Sequence, residues 1–186
     1  MHPVSAGQGT GQQAVIPASR PRDAFRAPAA CGIAFLIFAV DQFTKWAVIR
    51  CFEPGQSVPL IPGLLHLTYV QNTGAAFGLL RGMTPFLIVL SLAVTAWILW
   101  ELRGSGAAVG DARSDALSHV RLWGLSLVLG GAIGNLVDRI VRGYVVDFID
   151  VRVWPVFNVA DTAITVGVAF LLLPLVWKPR SRVPEP

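Results

Sequence analysis

Leu122-Trp123-Gly124-Leu125-Ser126-Leu127-Val128-Leu129-Gly130-Gly131-Ala132-Ile133-Gly134-Asn135-Leu136-Val137-Asp138-Arg139-Ile140 is apolar for most of its length and turns polar only in its last residues. A helix needs roughly 20 apolar residues to cross a hydrocarbon core about 30 Å thick, and this run has that length. Three more blocks match it: Ala29 to Ile49, Met83 to Trp100 and Val159 to Trp177. The expected fold class is therefore an all-α membrane protein with four transmembrane helices.

The whole-chain numbers agree. Of 186 residues, 54% are hydrophobic and 14% charged, and mean hydropathy is +0.60, whereas soluble domains carry about a quarter charged residues. The net charge of +4 does not call for nucleic acid, because the basic residues sit between apolar blocks, where topology explains them. Four spans leave both termini on one side. Arg20, Arg22, Arg26, Arg103, Arg113, Arg121, Lys178, Arg180 and Arg182, nine of the fifteen basic residues, fall in the two tails and the loop Glu101 to Arg121. That loop and the tails are expected to be cytoplasmic.

Residues 1–28, rich in Gly, Gln, Ala and Pro, read as a flexible basic tail. Residues 29–177 read as one four-helix transmembrane domain, and 178–186 as a second cytoplasmic tail. The first block is not a cleaved signal peptide, since Asp41, Gln42 and Lys45 stand where a small-residue cleavage site belongs. Cys31 and Cys51 lie about 30 Å apart along one helix, too far to bridge. His2, His66 and His119 have no metal-ligand spacing, so no metal and no cofactor are expected.

Two segments, 51–82 and 141–157, join the spans on the outer side. Leu64 to Val70 is strand-like between Pro62-Gly63 and Asn72-Thr73-Gly74, and Val145-Val146 is β-branched. A small extracytoplasmic β-sheet resting on the membrane is the expectation, with an extra strand or short helix from the second segment.

Polar groups inside a bilayer are costly, so each asks for a partner or a task. The first block runs outward and carries Asp41 and Lys45 four residues apart in its outer half, a spacing that pairs them. The third ends in Asn135, Asp138 and Arg139, placed on adjoining positions of one face, and Gly130, Gly131 and Gly134 allow a close helix neighbour. The fourth begins Asn158-Val159-Ala160-Asp161. Three helices thus deliver polar groups to one depth. The groups gathered at this depth include no nucleophilic serine beside a histidine, so paired carboxylates are the strongest chemistry available: two close carboxyls at low dielectric do not both ionise, so one keeps a proton while the other activates water. Spacing alone does not say which acids pair. Asp161 reads equally as a capping-box acid, Asp147 more readily as a loop acid, and Asp138-Arg139 as an ion pair at the membrane edge; nothing in the spacing favours Asp147 over Asp138 or Asp150.

Five runs resemble bacterial lipoprotein signal peptidase, signal peptidase II: Asp41-Gln42-Phe43-Thr44-Lys45, Gln71-Asn72-Thr73-Gly74-Ala75-Ala76-Phe77, Gly134-Asn135-Leu136-Val137-Asp138-Arg139, Val145-Val146-Asp147-Phe148 and Phe157-Asn158-Val159-Ala160-Asp161-Thr162. The resemblance implies that Asp147 and Asp161 are the catalytic pair. It also implies that Asn72, Asn135, Arg139 and Asn158 line the site, and that Asp41, Lys45 and Asp138 support it. The implied activity is removal of signal peptides from diacylglyceryl-modified prolipoproteins by an intramembrane aspartyl endopeptidase, cutting before the lipidated cysteine. The implied setting is the bacterial inner membrane, with membrane lipid as the other partner, no nucleic acid, and a monomer. Thr162 stands where many members have serine, and Tyr144 where histidine is frequent; the tail before residue 28 is longer than usual. A proton-coupled transporter is the rival from another class, but it needs polar groups through the whole depth, and the inner halves of these blocks are almost wholly apolar. A lipid-binding assembly protein is a third reading, and it has no use for two acids at the site.

Overall fold

The computed structural model describes residues 26–74, 82–104 and 112–176. Both expected tails up to residue 25 and from 177 on, the motif residues Ala75, Ala76 and Phe77, and Trp177 lie outside the described residues. The order is α1 (Arg26–Cys51), β1 (Ser57–Ile61), β2 (Leu65–Asn72), α2 (Thr84–Gly104), α3 (Ala112–Arg142), β3 (Val145–Asp150) and α4 (Val159–Val176).

Among the described residues, three stretches are long and apolar enough to cross a membrane: Pro28–Cys51, Thr84–Arg103 and Leu117–Arg142. The fourth helix has 18 described residues, about 27 Å at 1.5 Å per residue. Pro28 and Pro85 sit in first turns, where a missing N–H costs least, while Pro174 lies inside α4 near its end. α3 starts at Ala112 rather than Leu122, so the polar residues before the apolar run are helical too. It stops at Gly143, which takes φ 78° and donates its N–H to the Arg139 carbonyl at 3.2 Å.

α3 is the central element. A Cβ on Gly130 would lie 2.5 Å from the Ala34 carbonyl, and one on Gly131 the same distance from that of Ala160. The small residues thus admit α1 on one side and α4 on the other. Ala34, Leu125, Val128 and Leu129 form a core cluster with Ile98 of α2. The outward faces of α1 and α2 expose Phe35, Leu36, Phe43, Trp46, Val89, Trp97 and Trp100, as a lipid-facing surface does.

The sheet is antiparallel, in order β1-β2-β3, with Ser57 opposite Thr68 and Asn72 opposite Val145. A register irregularity between Leu67 and Val70 precedes the pairing of Val70 with Asp147. Tyr69, Val146 and Phe148 pack with Val48 of α1, fixing the sheet to that helix end. The strand expected at Leu64 to Val70 is β2, and the second outer segment supplies β3 as a strand rather than a helix.

Candidate active site

Asn158 begins the site because it is the N-cap of α4. Its Oδ1 accepts the Asp161 N–H at 2.8 Å, while its own N–H donates to Asp161 Oδ2 at 3.2 Å. The capping box that the spacing allowed is therefore present. It does not exhaust Asp161, whose Oδ1 also accepts from Asn135 Nδ2 on α3 at 2.8 Å. Asp147, on β3 and 2% exposed, accepts Asn158 Nδ2 on Oδ1 at 2.7 Å and Asn72 Nδ2 on Oδ2 at 2.8 Å.

Three amides thus point their NH2 groups at two carboxylates, and in each case the amide oxygen is committed elsewhere to a group that can only donate. For Asn72 it is the Gly74 N–H at 2.9 Å, for Asn158 the Asp161 N–H, and for Asn135 the Lys45 ammonium at 2.8 Å. The orientation of all three side chains follows from that chemistry.

Both carboxylates open on one cavity of about 410 Å³, lined by Asn72, Gly74, Asn135, Arg139, Asp147 and Asp161, with Trp154–Phe157, Ile164 and Thr165 completing the wall. Arg139 is held loosely, donating to the carbonyls of Asn135 at 3.4 Å and Gly74 at 3.5 Å. Asn158 is fully buried behind the pair rather than in the cavity wall. Burial pushes the Asp147 carboxyl up to about 7, and the neighbouring negative charge of Asp161 adds to it; the Asn72 and Asn158 hydrogen bonds and the Lys45 charge pull the other way.

Asp41, Lys45 and Asp138 come together in a second, closed cluster beside the first. All three are fully buried. Lys45 Nζ lies 2.8 Å from Asp41 Oδ2 and 3.1 Å from Asp138 Oδ2. Asp41 Oδ1 accepts the Ala160 N–H at 3.0 Å, and Asp138 Oδ2 accepts the Val146 N–H at 3.1 Å. The cluster therefore fixes the start of α4 and the residue before Asp147.

The expected Asp138-Arg139 ion pair is corrected: Asp138 pairs with Lys45 and Arg142. Successive helix residues diverge by about 100°, so Asn135 and Arg139 share the cavity face while Asp138 and Arg142 share another. Sequence reasoning gave no role to Gln42, which donates to Asp138 Oδ1 at 3.2 Å and the Gly134 carbonyl at 3.1 Å. It also missed Arg142, although its spacing from Asp138 was the available signal. The wall Trp154–Phe157 had no signal beyond the Trp-Pro turn.

Membrane-spanning helices, a short sheet over their ends and two amide-held carboxylates facing a cavity are together the equipment of a membrane-embedded aspartic peptidase. The family model described as signal peptidase (SPase) II matches residues 33–177, and the chain belongs to that family. Among its relatives, the lipoprotein signal peptidase of Nostoc punctiforme is 46% identical over 145 residues, covering 75% of this chain and 84% of that protein. The lipoprotein signal peptidase of Halothermothrix orenii is 41% identical over 144 residues, covering 76% and 90%. A solved bacterial membrane enzyme, determined by the in meso method at 2.3 Å, superposes with a TM-score of 0.71 at 29% identity, over 80% of this chain and 88% of that one.

Proposed function

We propose that this protein removes signal peptides from diacylglyceryl-modified prolipoproteins, cutting the peptide bond before the lipidated cysteine, with Asp147 and Asp161 as the catalytic pair. The observation that carries the reading is the amide frame: Asn72, Asn135 and Asn158 all donate to these two carboxylates, and no ion pair with a lysine or arginine neutralises either among the described residues.

The charge count supports one shared proton. The two clusters and the cavity hold three cations (Lys45, Arg139, Arg142) and four carboxylates (Asp41, Asp138, Asp147, Asp161), so the site is neutral when one carboxyl keeps its proton. A low-dielectric site favours that state. In the reaction, the ionised carboxylate takes a proton from water as the water oxygen bonds to the carbonyl carbon. The protonated carboxyl gives its proton to the carbonyl oxygen, forming a tetrahedral diol. The first aspartate then passes its proton to the departing nitrogen as the C–N bond breaks, the second recovers the proton from the diol, and the new carboxyl terminus and amine separate. Arg139, whose own hydrogen bonds are long, holds backbone carbonyls of the substrate; the asparagines keep the carboxylates in register.

The lipid chains stay in the bilayer while the signal helix lies alongside. α4 is the fourth span, residues 29–177 form the peptidase domain, and both tails are cytoplasmic. The site then faces the extracytoplasmic side of the bacterial inner membrane. The enzyme works as a monomer, with no cofactor. Against transport, the buried charges and amides gather at one end of the helices, while Ser126 is the buried polar residue of the inner part of α3.

The test is cleavage of a synthetic diacylglyceryl-modified prolipoprotein by purified wild type, Asp147→Asn, Asp161→Asn and Asp138→Asn, each first confirmed as folded in detergent. The reading holds if the first two variants lose cleavage and the third keeps part of it. It fails if wild type does not cut or both pair variants still do.

A further inference from the structure

Arg152, in the connection between β3 and α4, is the one non-glycine residue with a left-handed backbone among the described residues, at φ 65°. A side chain with a Cβ is disfavoured there, and such strain persists only where the surroundings over-determine it. Here the determinant is Asp150. Its Oδ1 accepts the Arg152 N–H at 2.9 Å, and its Oδ2 accepts Arg152 Nη1 at 3.3 Å and Thr68 Oγ1 at 2.8 Å. Thr68 Oγ1 lies 2.8 Å from Ser57 Oγ, so the clamp is rooted in all three strands. The Arg152 guanidinium is half exposed, which leaves its ion pair little stabilising value. The bonds fix geometry instead.

What they fix lies downstream. After the turn, Phe157 returns beside β3: the Ile149 N–H donates to the Phe157 carbonyl at 2.8 Å and the Phe157 N–H to the Ile149 carbonyl at 3.1 Å. That pairing lays Trp154, Pro155, Val156 and Phe157 along the cavity. It also delivers the next residue, Asn158, to Asp147. A slip of one residue would withdraw Asn158 by roughly 3.3 Å and turn each wall side chain to the other face.

We propose that Asp150 is a positioning residue for cleavage: it clamps Arg152 in the left-handed turn, and the turn sets the register in which Trp154–Phe157 wall the substrate cavity and Asn158 meets Asp147. The proposal rests on the reading of this cavity as the peptide site.

Its test exploits glycine, which takes φ near 65° without help. Full-length Asp150→Ala, Asp150→Asn, Arg152→Gly and the double variant Asp150→Ala/Arg152→Gly are assayed on the diacylglyceryl-modified prolipoprotein, with kcat and KM resolved and thermal unfolding in detergent followed alongside. Misplacing both the wall and Asn158 lowers kcat and raises KM, so Asp150→Ala falls about tenfold or more in kcat/KM. Arg152→Gly stays within about twofold of wild type, and the double variant recovers most of the loss. Asp150→Asn keeps an oxygen for the turn and retains more activity than Asp150→Ala. A double variant as slow as Asp150→Ala overturns the proposal, as does an Asp150→Ala enzyme with wild-type kinetics. If Asp150→Ala does not fold, recovery of a folded, active double variant makes the same case, and its failure to fold overturns it. Asp147→Asn separates the two levels. If that variant still cuts, the reading of the cavity fails; if it is silent while Asp150→Ala is unaffected, the inference alone fails.

Discussion

Two groups of aspartates lie side by side at the same helix ends, and they are built in opposite ways. Asp41 and Asp138 are sealed in protein and neutralised by Lys45 and Arg142. Asp147 and Asp161 face a cavity and are held by amides and backbone N–H groups. Cations neutralise the first two and lock them inside protein, whereas neutral donors orient the second two and leave them open to the cavity. On the proposed reading, the difference separates a scaffold from a reactive pair made of the same residue type.

The sharpest way to break that contrast is to exchange the consequences. Asp147→Asn is isosteric, so its expected effect is a loss of cleavage of about 10²–10⁴-fold or more in a protein that still folds, its unfolding temperature lowered only by the one amide donor that then faces an NH2. Lys45→Met should do the reverse. It leaves Asp41 and Asp138 buried with too little positive charge, at a cost of about 3–5 kcal/mol, read as a large drop in the detergent unfolding temperature. If Lys45→Met proved as stable as wild type, the second cluster would not be the scaffold described here.

Acidity sharpens the comparison further. With Asp147 pushed up to about 7, kcat/KM should fall as pH rises through that value, because the pair loses its shared proton. The sign for stability is the same: the folded form holds the proton more tightly than the unfolded chain, whose carboxyl lies near 3.8. The contribution is thus complete below that value and is lost as pH rises towards 7. Asp147→Asn removes this slope from the unfolding profile. A kcat/KM profile flat from pH 6 to 9 would contradict the assignment.

The helices and the depth of the site were legible in the sequence because both rest on composition along one dimension: apolar runs of spanning length, and polar residues gathered where those runs end. Partner choice was not. Whether Asp138 turns to Lys45 depends on the rotation of α3 against α1, which the glycines at 130 and 134 set through close approach. Spacing could not single out Asp147, since the strand irregularity between Leu67 and Val70 decides which β2 residue it meets. The turn at Arg152 was invisible for a related reason: no glycine or asparagine occupies its left-handed position, and what holds it is a carboxylate two residues earlier.

The smallest effect expected belongs to Asn72→Ala. Asn72 donates one of the two amide hydrogen bonds that Asp147 accepts, and that bond lowers the carboxyl's affinity for its proton. Its loss raises that affinity, so the alkaline limb of kcat/KM moves to higher pH. One hydrogen bond to a charged group is worth about 1.5–3 kcal/mol, and about 1.4 kcal/mol corresponds to one pH unit. Asn158 still holds Asp147 at 2.7 Å, and water entering the open cavity replaces part of what Asn72 gave, so the shift should stay at or below about one unit. A shift to lower pH would mean that Asn72 favours the protonated carboxyl, and the amide frame would then act in the opposite sense to the one derived from its committed oxygens.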